Sequence, residues 1–256
     1  MAELKLSACI EMIFGDVPEF VDRIDRVAVT GVPAVEFWGW GNKDLAAVRA
    51  RTDEKGVAIA GFCVAADAAL CDPEGTETWV AGAKESIAKA KEFGVPTLIV
   101  TTGNELDIPR EDQHNAIVAG LKAIAPVAEA EGITLVLEPL NLLVDHAGYY
   151  LATSDEGFEI LDEVNSPRVK LLYDIYHQQI TEGQLIATIT ANIDKIGHFH
   201  VADVPGRNEP GTGEINYVNV FKAIAGTDYD GYIGLEYRPT IDAAETLRNT
   251  LSIAGL

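Results

Sequence analysis

VKLLYDIYH, residues 169–177, sets the reading of this chain: an apolar and aromatic run is broken near its end by one acid, Asp174, and followed by a histidine, His177. A run that is apolar on both alternating faces is the pattern of a strand buried on both sides, as in a parallel sheet. The pattern recurs on either side. ITLVLEPLN (133–141) carries Glu138, IGHFHVAD (196–203) carries His200, and YIGLEYRP (232–239) carries Glu236. Toward the N-terminus, LSACIEMIF (6–14), AVEFWGW (34–40), VAIAGFCVA (57–65) and TLIVTTGN (97–104) supply four more strands and bring the count to eight.

Helical periodicity fills the gaps. In 75–93, Trp79, Ala83, Ile87 and Ala90 share one face; in 111–130, Ile117, Leu121, Ile124 and Val127 do the same, and Gly94 and Gly132 follow as helix stops. Strand–helix alternation predicts an α/β fold, either a closed (β/α)8 TIM barrel or an open doubly wound sheet. No G-x-G-x-x-G opens a helix after the first strand, which removes the usual dinucleotide site of the open form. Polar residues at the ends of successive strands are what a barrel with its active site on the C-terminal face requires. No linker or composition shift divides residues 1–256, so a single-domain barrel is expected.

Glu138, Asp174, His200 and Glu236 follow one another at intervals of 36, 26 and 36 residues, each about one βα repeat. Such positions lie on adjacent staves and can converge. One polar residue at a strand end is usually an ion pair or a helix cap; four in a row with apolar flanks are costly to bury without a shared cation. Three carboxylates and one imidazole suit a single divalent ion, Mg2+, Mn2+ or Co2+, better than structural Zn2+, and leave coordination positions for substrate oxygens.

A second set lies beside the first. His177, three residues past Asp174, is placed to donate a hydrogen bond to a substrate oxygen. Arg207 sits in the Gly/Pro-rich loop DVPGRNEPGTGEINY, which could close over the site and clamp a carboxylate. His198 reads as a barrel-interior or supporting histidine, and Phe14, Trp38 and Trp40 as apolar walls.

Composition bounds the partners. A net charge of -21, with 19 basic against 40 acidic residues, repels nucleic acid and acidic membrane surfaces. Cys9, Cys63 and Cys71 lack C-x-x-C spacing and read as buried reduced thiols. The N-terminus has no signal-peptide pattern and no stretch approaches a membrane span of about 18 apolar residues. A cytoplasmic protein with a small-molecule partner is expected.

LEPLN, YDIYHQQ, HFHVADVPGRNEPGTGEINY and GLEYRP resemble the xylose-isomerase-like barrels, and most closely their hydroxypyruvate isomerase branch; the likeness runs the length of the chain and is strongest over 133–239. The resemblance implies a metal held by Glu138, Asp174, His200 and Glu236. Glu138 and Glu236 would exchange protons with the substrate, and His177 and Arg207 would contact it. The implied substrate is a small hydroxy-carbonyl acid such as hydroxypyruvate, isomerised to tartronate semialdehyde. His at position 200 is also the residue of the related ketose 3-epimerases, so a ketose 3-epimerase or a 2-oxo-tetronate isomerase using the same metal stays open. A related endonuclease would need more metal ligands and a basic track. Barrels of this family commonly pair, so the resemblance allows a homo-oligomer.

Overall fold

A computed structural model describes residues 3–256. Eight parallel strands, β1 (Lys5–Cys9), β2 (Ala34–Phe37), β3 (Ala58–Cys63), β4 (Thr97–Val100), β5 (Thr134–Leu137), β6 (Val169–Asp174), β7 (Ile196–Val201) and β8 (Tyr232–Leu235), pair in chain order. The last closes on the first, with Lys5 to Ala8 opposite Tyr232 to Leu235. The chain is therefore a (β/α)8 TIM barrel. Around it run α1 (Phe20–Ala28), α2 (Leu45–Lys55), α3 (Thr76–Phe93), α4 (Arg110–Glu131), α5 (Ser154–Val164), α6 (Ile175–Thr181), α7 (Leu185–Ala191), α8 (Tyr217–Ala225) and α9 (Ala243–Ala254).

Period-two alternation sorts each strand into an outward and an inward set. Outward residues such as Leu6, Val35, Leu135, Leu171 and Phe199 are fully or almost fully buried against helix residues including Ile24, Val48, Ile87, Ile117 and Ile160. Each such side chain contributes about 1.5–3 kcal/mol. Trp79, Ala83, Ile87 and Ala90 all face this layer; so do Ile117, Leu121 and Ile124, while Val127 is half-buried. Gly94 and Gly132 end their helices in the left-handed conformation at φ 67° and 73°, where a side chain would be strained.

Every strand is shorter at its C-terminal end than its apolar run in the sequence. Ile10, Ile13 and Phe14, read as the end of the first strand, belong to a turn and are buried over the barrel mouth. Residues 175–177, read as strand, begin α6 instead, because the Asp174 side chain accepts from His177 N at 3.0 Å and caps the helix. Among the described residues no helix is long and apolar enough to cross a membrane.

Candidate active site

The three acids and one imidazole read from the sequence meet at the C-terminal mouth. Glu138 and Glu236 each continue the ladder one residue past their strand, donating N–H to Val100 O and Val201 O at 3.0 Å. Asp174 ends β6 and His200 lies on β7. One ligand atom from each of the four lies within 4.8 Å of the others, and all four residues are buried. Separations up to that size suit atoms arranged about one ion with metal–oxygen distances of about 2.0–2.6 Å.

The oxygens are already divided between holding and presenting. Asp174 uses Oδ1 for the α6 cap and turns Oδ2 toward His200 Nδ1 at 3.9 Å. His200 Nδ1 also lies 3.2 Å from Glu138 Oε1 and 3.4 Å from Glu236 Oε2. Glu236 Oε1 accepts the Trp38 indole N–H at 2.7 Å, and Oε2 accepts from Arg207 Nη2 at 2.5 Å.

The electrostatics ask for a cation at the centre. Burial raises the Asp174 pKa, disfavouring its charge. Burial also pushes Glu236 up, but His200, Arg207 and the Trp38 indole outweigh it and hold the carboxyl well below its usual range. His200 is raised well above an ordinary histidine, its burial overcome by Glu236, Glu36 and Glu138. Three carboxylates thus draw positive charge onto the one imidazole among them. A divalent ion supplies that charge and uses the Nδ1 lone pair, so the donor set fits a metal.

A cavity of about 390 Å3 opens above the cluster, lined by Glu138, His200, Glu236, Asp145, Arg207 and Trp38 among others. That is room for a small molecule. A larger cavity, about 770 Å3, opens at the opposite end of the barrel around Lys5, Arg168 and Lys170. It holds none of the four residues, and active sites of this fold lie on the C-terminal face.

Arg207 reaches the site from a loop held by internal hydrogen bonds. Asp203 Oδ1 accepts Val204 N and Ile215 N at 2.9 and 3.1 Å, and its Oδ2 accepts Gly211 N and Gly213 N, both at 2.9 Å. Asn208 Nδ2 donates to Arg238 O at 2.8 Å, and Thr240 N donates to Glu209 Oε2 at 3.0 Å. The loop is pinned, and it presents Arg207 at φ 56° over the ring of Tyr176, 5.3 Å from its centroid. His177 is fully buried beside the cluster, its Nε2 3.5 Å from Asp174 Oδ2 and its Nδ1 2.6 Å from Asn141 Nδ2. Burial first, then Arg207, lowers its pKa to about 3 and keeps it neutral.

Three contributors escaped the sequence reading. Trp38 is a hydrogen-bond donor and not only a wall; its own backbone N–H is held by Glu11, which Lys43 pairs at 2.7 Å. Asp145 lies 4.0 Å from Arg207 and accepts Tyr176 Oη at 2.8 Å. Glu36 stands under His200 at 2.9 Å. Only Glu36 left a signal, an acid inside the apolar run AVEF. Cys9, Cys63 and Cys71 are free thiols, and His198 is buried with its Nε2 3.0 Å from Glu36.

Residues 24–252 match the xylose isomerase-like TIM barrel family. The chain belongs to that family. This xylose isomerase-like barrel is 34% identical over 253 residues to the hydroxypyruvate isomerase of Escherichia coli K12, covering 96% of this chain and 97% of that one. It is 33% identical over 246 residues to the 2-oxo-tetronate isomerase of Cupriavidus necator H16, covering 92% and 93%. Among solved structures it resembles an AP endonuclease, family 2, from Brucella melitensis, with TM-score 0.91, 24% identity and 98% and 99% coverage. The last likeness is one of fold. With its isomerase relatives, the xylose isomerase-like barrel is an isomerase.

Proposed function

We propose that the chain is a divalent-metal-dependent isomerase that interconverts hydroxypyruvate and tartronate semialdehyde through an enediolate. The observation that carries this reading is Arg207, a half-buried guanidinium 2.5 Å from Glu236 Oε2 at the edge of the four-residue cluster. In a chain of net charge -21, such a cation at the mouth gives a small anionic substrate a place to bind. The Escherichia coli relative is named a hydroxypyruvate isomerase.

Glu138, Asp174, His200 and Glu236 would hold Mg2+, Mn2+ or Co2+. When bound, the ion would polarise the substrate's carbonyl and adjacent hydroxyl oxygens and so favour loss of the carbon-bound proton. Arg207 would transfer from Glu236 to the substrate carboxylate. That exchange strengthens Glu236 as a base, since Arg207 is one of the groups holding its pKa down. Of the glutamates, one carboxylate takes a proton from C3 of hydroxypyruvate, and the enediolate forms between C2 and C3. A proton returned to C2 from the other glutamate, or from the conjugate acid, with one proton moved between the oxygens, completes tartronate semialdehyde. Trp38 orients Glu236 and shields it. His177, neutral and buried, accepts from Asn141 at Nδ1 and has one N–H, at Nε2, which would go to Asp174 or to a substrate oxygen.

A second reading, 2-oxo-tetronate as substrate, is favoured by the Cupriavidus relative. The same carboxylate clamp would serve it. Assay of both acids and of free ketoses with Mn2+, Mg2+ and Co2+ tests the proposal: the highest kcat/KM should fall on a 2-oxo acid, and turnover of ketoses alone would replace this reading by a 3-epimerase.

A further inference from the structure

Glu36, on β2 inside the barrel, is 1% exposed and stands outside the four-residue cluster. Three side chains converge on its carboxylate. Ser7 Oγ donates to Oε2 at 2.6 Å, His198 Nε2 lies 3.0 Å from Oε2, and His200 Nε2 lies 2.9 Å from Oε1. The facing strand makes room with Gly234, where a Cβ would overlap Oε1. A buried carboxylate is costly unless its partners compensate; here Ser7 and His198 hold Oε2, and the His200 imidazole lies 2.9 Å from Oε1 without completing a hydrogen bond to it.

His200 has one ring nitrogen for each neighbour. Its Nδ1 faces Glu138, Glu236 and Asp174, and its Nε2 faces Glu36. We propose that Glu36 is a positioning residue for the metal centre: by accepting the Nε2 proton it fixes the tautomer and orientation of the imidazole, so that the Nδ1 lone pair is directed at the ion. Ser7 and His198 hold the Glu36 carboxylate in turn. The inference rests on reading the four-residue cluster as a metal site. A second ion among Glu36, His198 and His200 is the rival geometry; against it, Glu36 Oε2 is already shared by Ser7 Oγ at 2.6 Å and His198 Nε2 at 3.0 Å, and the number of ions bound per chain separates the two.

The test is Mn2+ binding to the chelator-treated, dialysed protein, with free Mn2+ counted by electron paramagnetic resonance and folding followed by circular dichroism. Wild type should bind one Mn2+ per chain. Glu36→Gln loses the charge and turns an amide N–H toward at least one of three donors; it should stay folded and bind Mn2+ about 10- to 100-fold more weakly. With Co2+ in place of Mn2+, the visible bands should shift in Glu36→Gln, which lost packing alone would not cause. Unchanged Mn2+ affinity and bands, or two ions per wild-type chain, would overturn the inference and leave a metal site standing. No Mn2+ binding by wild type would instead overturn the metal reading beneath it. If Glu36→Gln does not fold, Ser7→Ala decides: removing one donor to Oε2 should weaken Mn2+ by about tenfold, and an unchanged affinity would count against Glu36.

Discussion

The two halves of the barrel interior are built from opposite materials. Under Glu138 and Asp174, on β4, β5 and β6, lie Ile99, Val136 and Leu172, an apolar cluster joined by Cys63. Under His200 and Glu236, on β1, β2 and β7, lie Ser7, Glu36 and His198, linked by hydrogen bonds. A carboxylate carries two oxygens and can be fixed by its strand and, for Asp174, by a helix cap, so an apolar floor suffices. An imidazole has a second N–H that must be satisfied when buried, and that requires a polar floor.

The largest effect should cross both halves. Glu138→Gln over the apolar floor and Glu236→Gln beside the polar one should each fold and lose about 10³-fold in kcat; steady-state kinetics at saturating Mn2+ checks this, and wild-type turnover by either removes it from proton transfer. Next comes the anion clamp. Arg207→Ala should lower kcat/KM for a 2-oxo acid on the order of 10²-fold, and Arg207→Lys should recover little, because an ammonium cannot reproduce a bidentate fork. Trp38→Phe removes the indole N–H from Glu236 and should cost about tenfold in kcat. Smallest at the metal is Leu172→Ala: urea melts should show about 2–5 kcal/mol of lost stability, while Mn2+ affinity stays within about threefold. A collapse of Mn2+ binding there would erase the contrast between the floors.

Much of this was legible because repetition exposes it. Four strands, each interrupted at the same point by Glu138, Asp174, His200 or Glu236, announce a barrel and a shared site together. Strand ends were overread where apolar residues continue into the mouth, as at Ile10, Ile13 and Phe14, since burial under a loop looks the same in sequence as burial in a sheet. Residues 175–177 continue the apolar run in sequence yet are helical, for a related reason: Asp174 serves as cap and site residue at once. Arg207 stands out in its Gly/Pro-rich loop, but the hydrogen bonds that hold the loop do not, because four backbone N–H groups gathered by Asp203 leave only one aspartate in the sequence. Glu36 was passed over since its partner, His200, lies 164 residues away.

The central claim is tested most directly by following hydroxypyruvate and 2-oxo-tetronate by NMR in D2O with chelator-treated protein, before and after adding Mn2+. The account predicts no isomerisation and no carbon-bound deuterium before the metal; after it, for whichever acid is the substrate, an isomer with deuterium at the carbon that received the proton. Undiminished isomerisation by the chelated protein, or none of either acid with Mn2+, Mg2+ or Co2+, would contradict it.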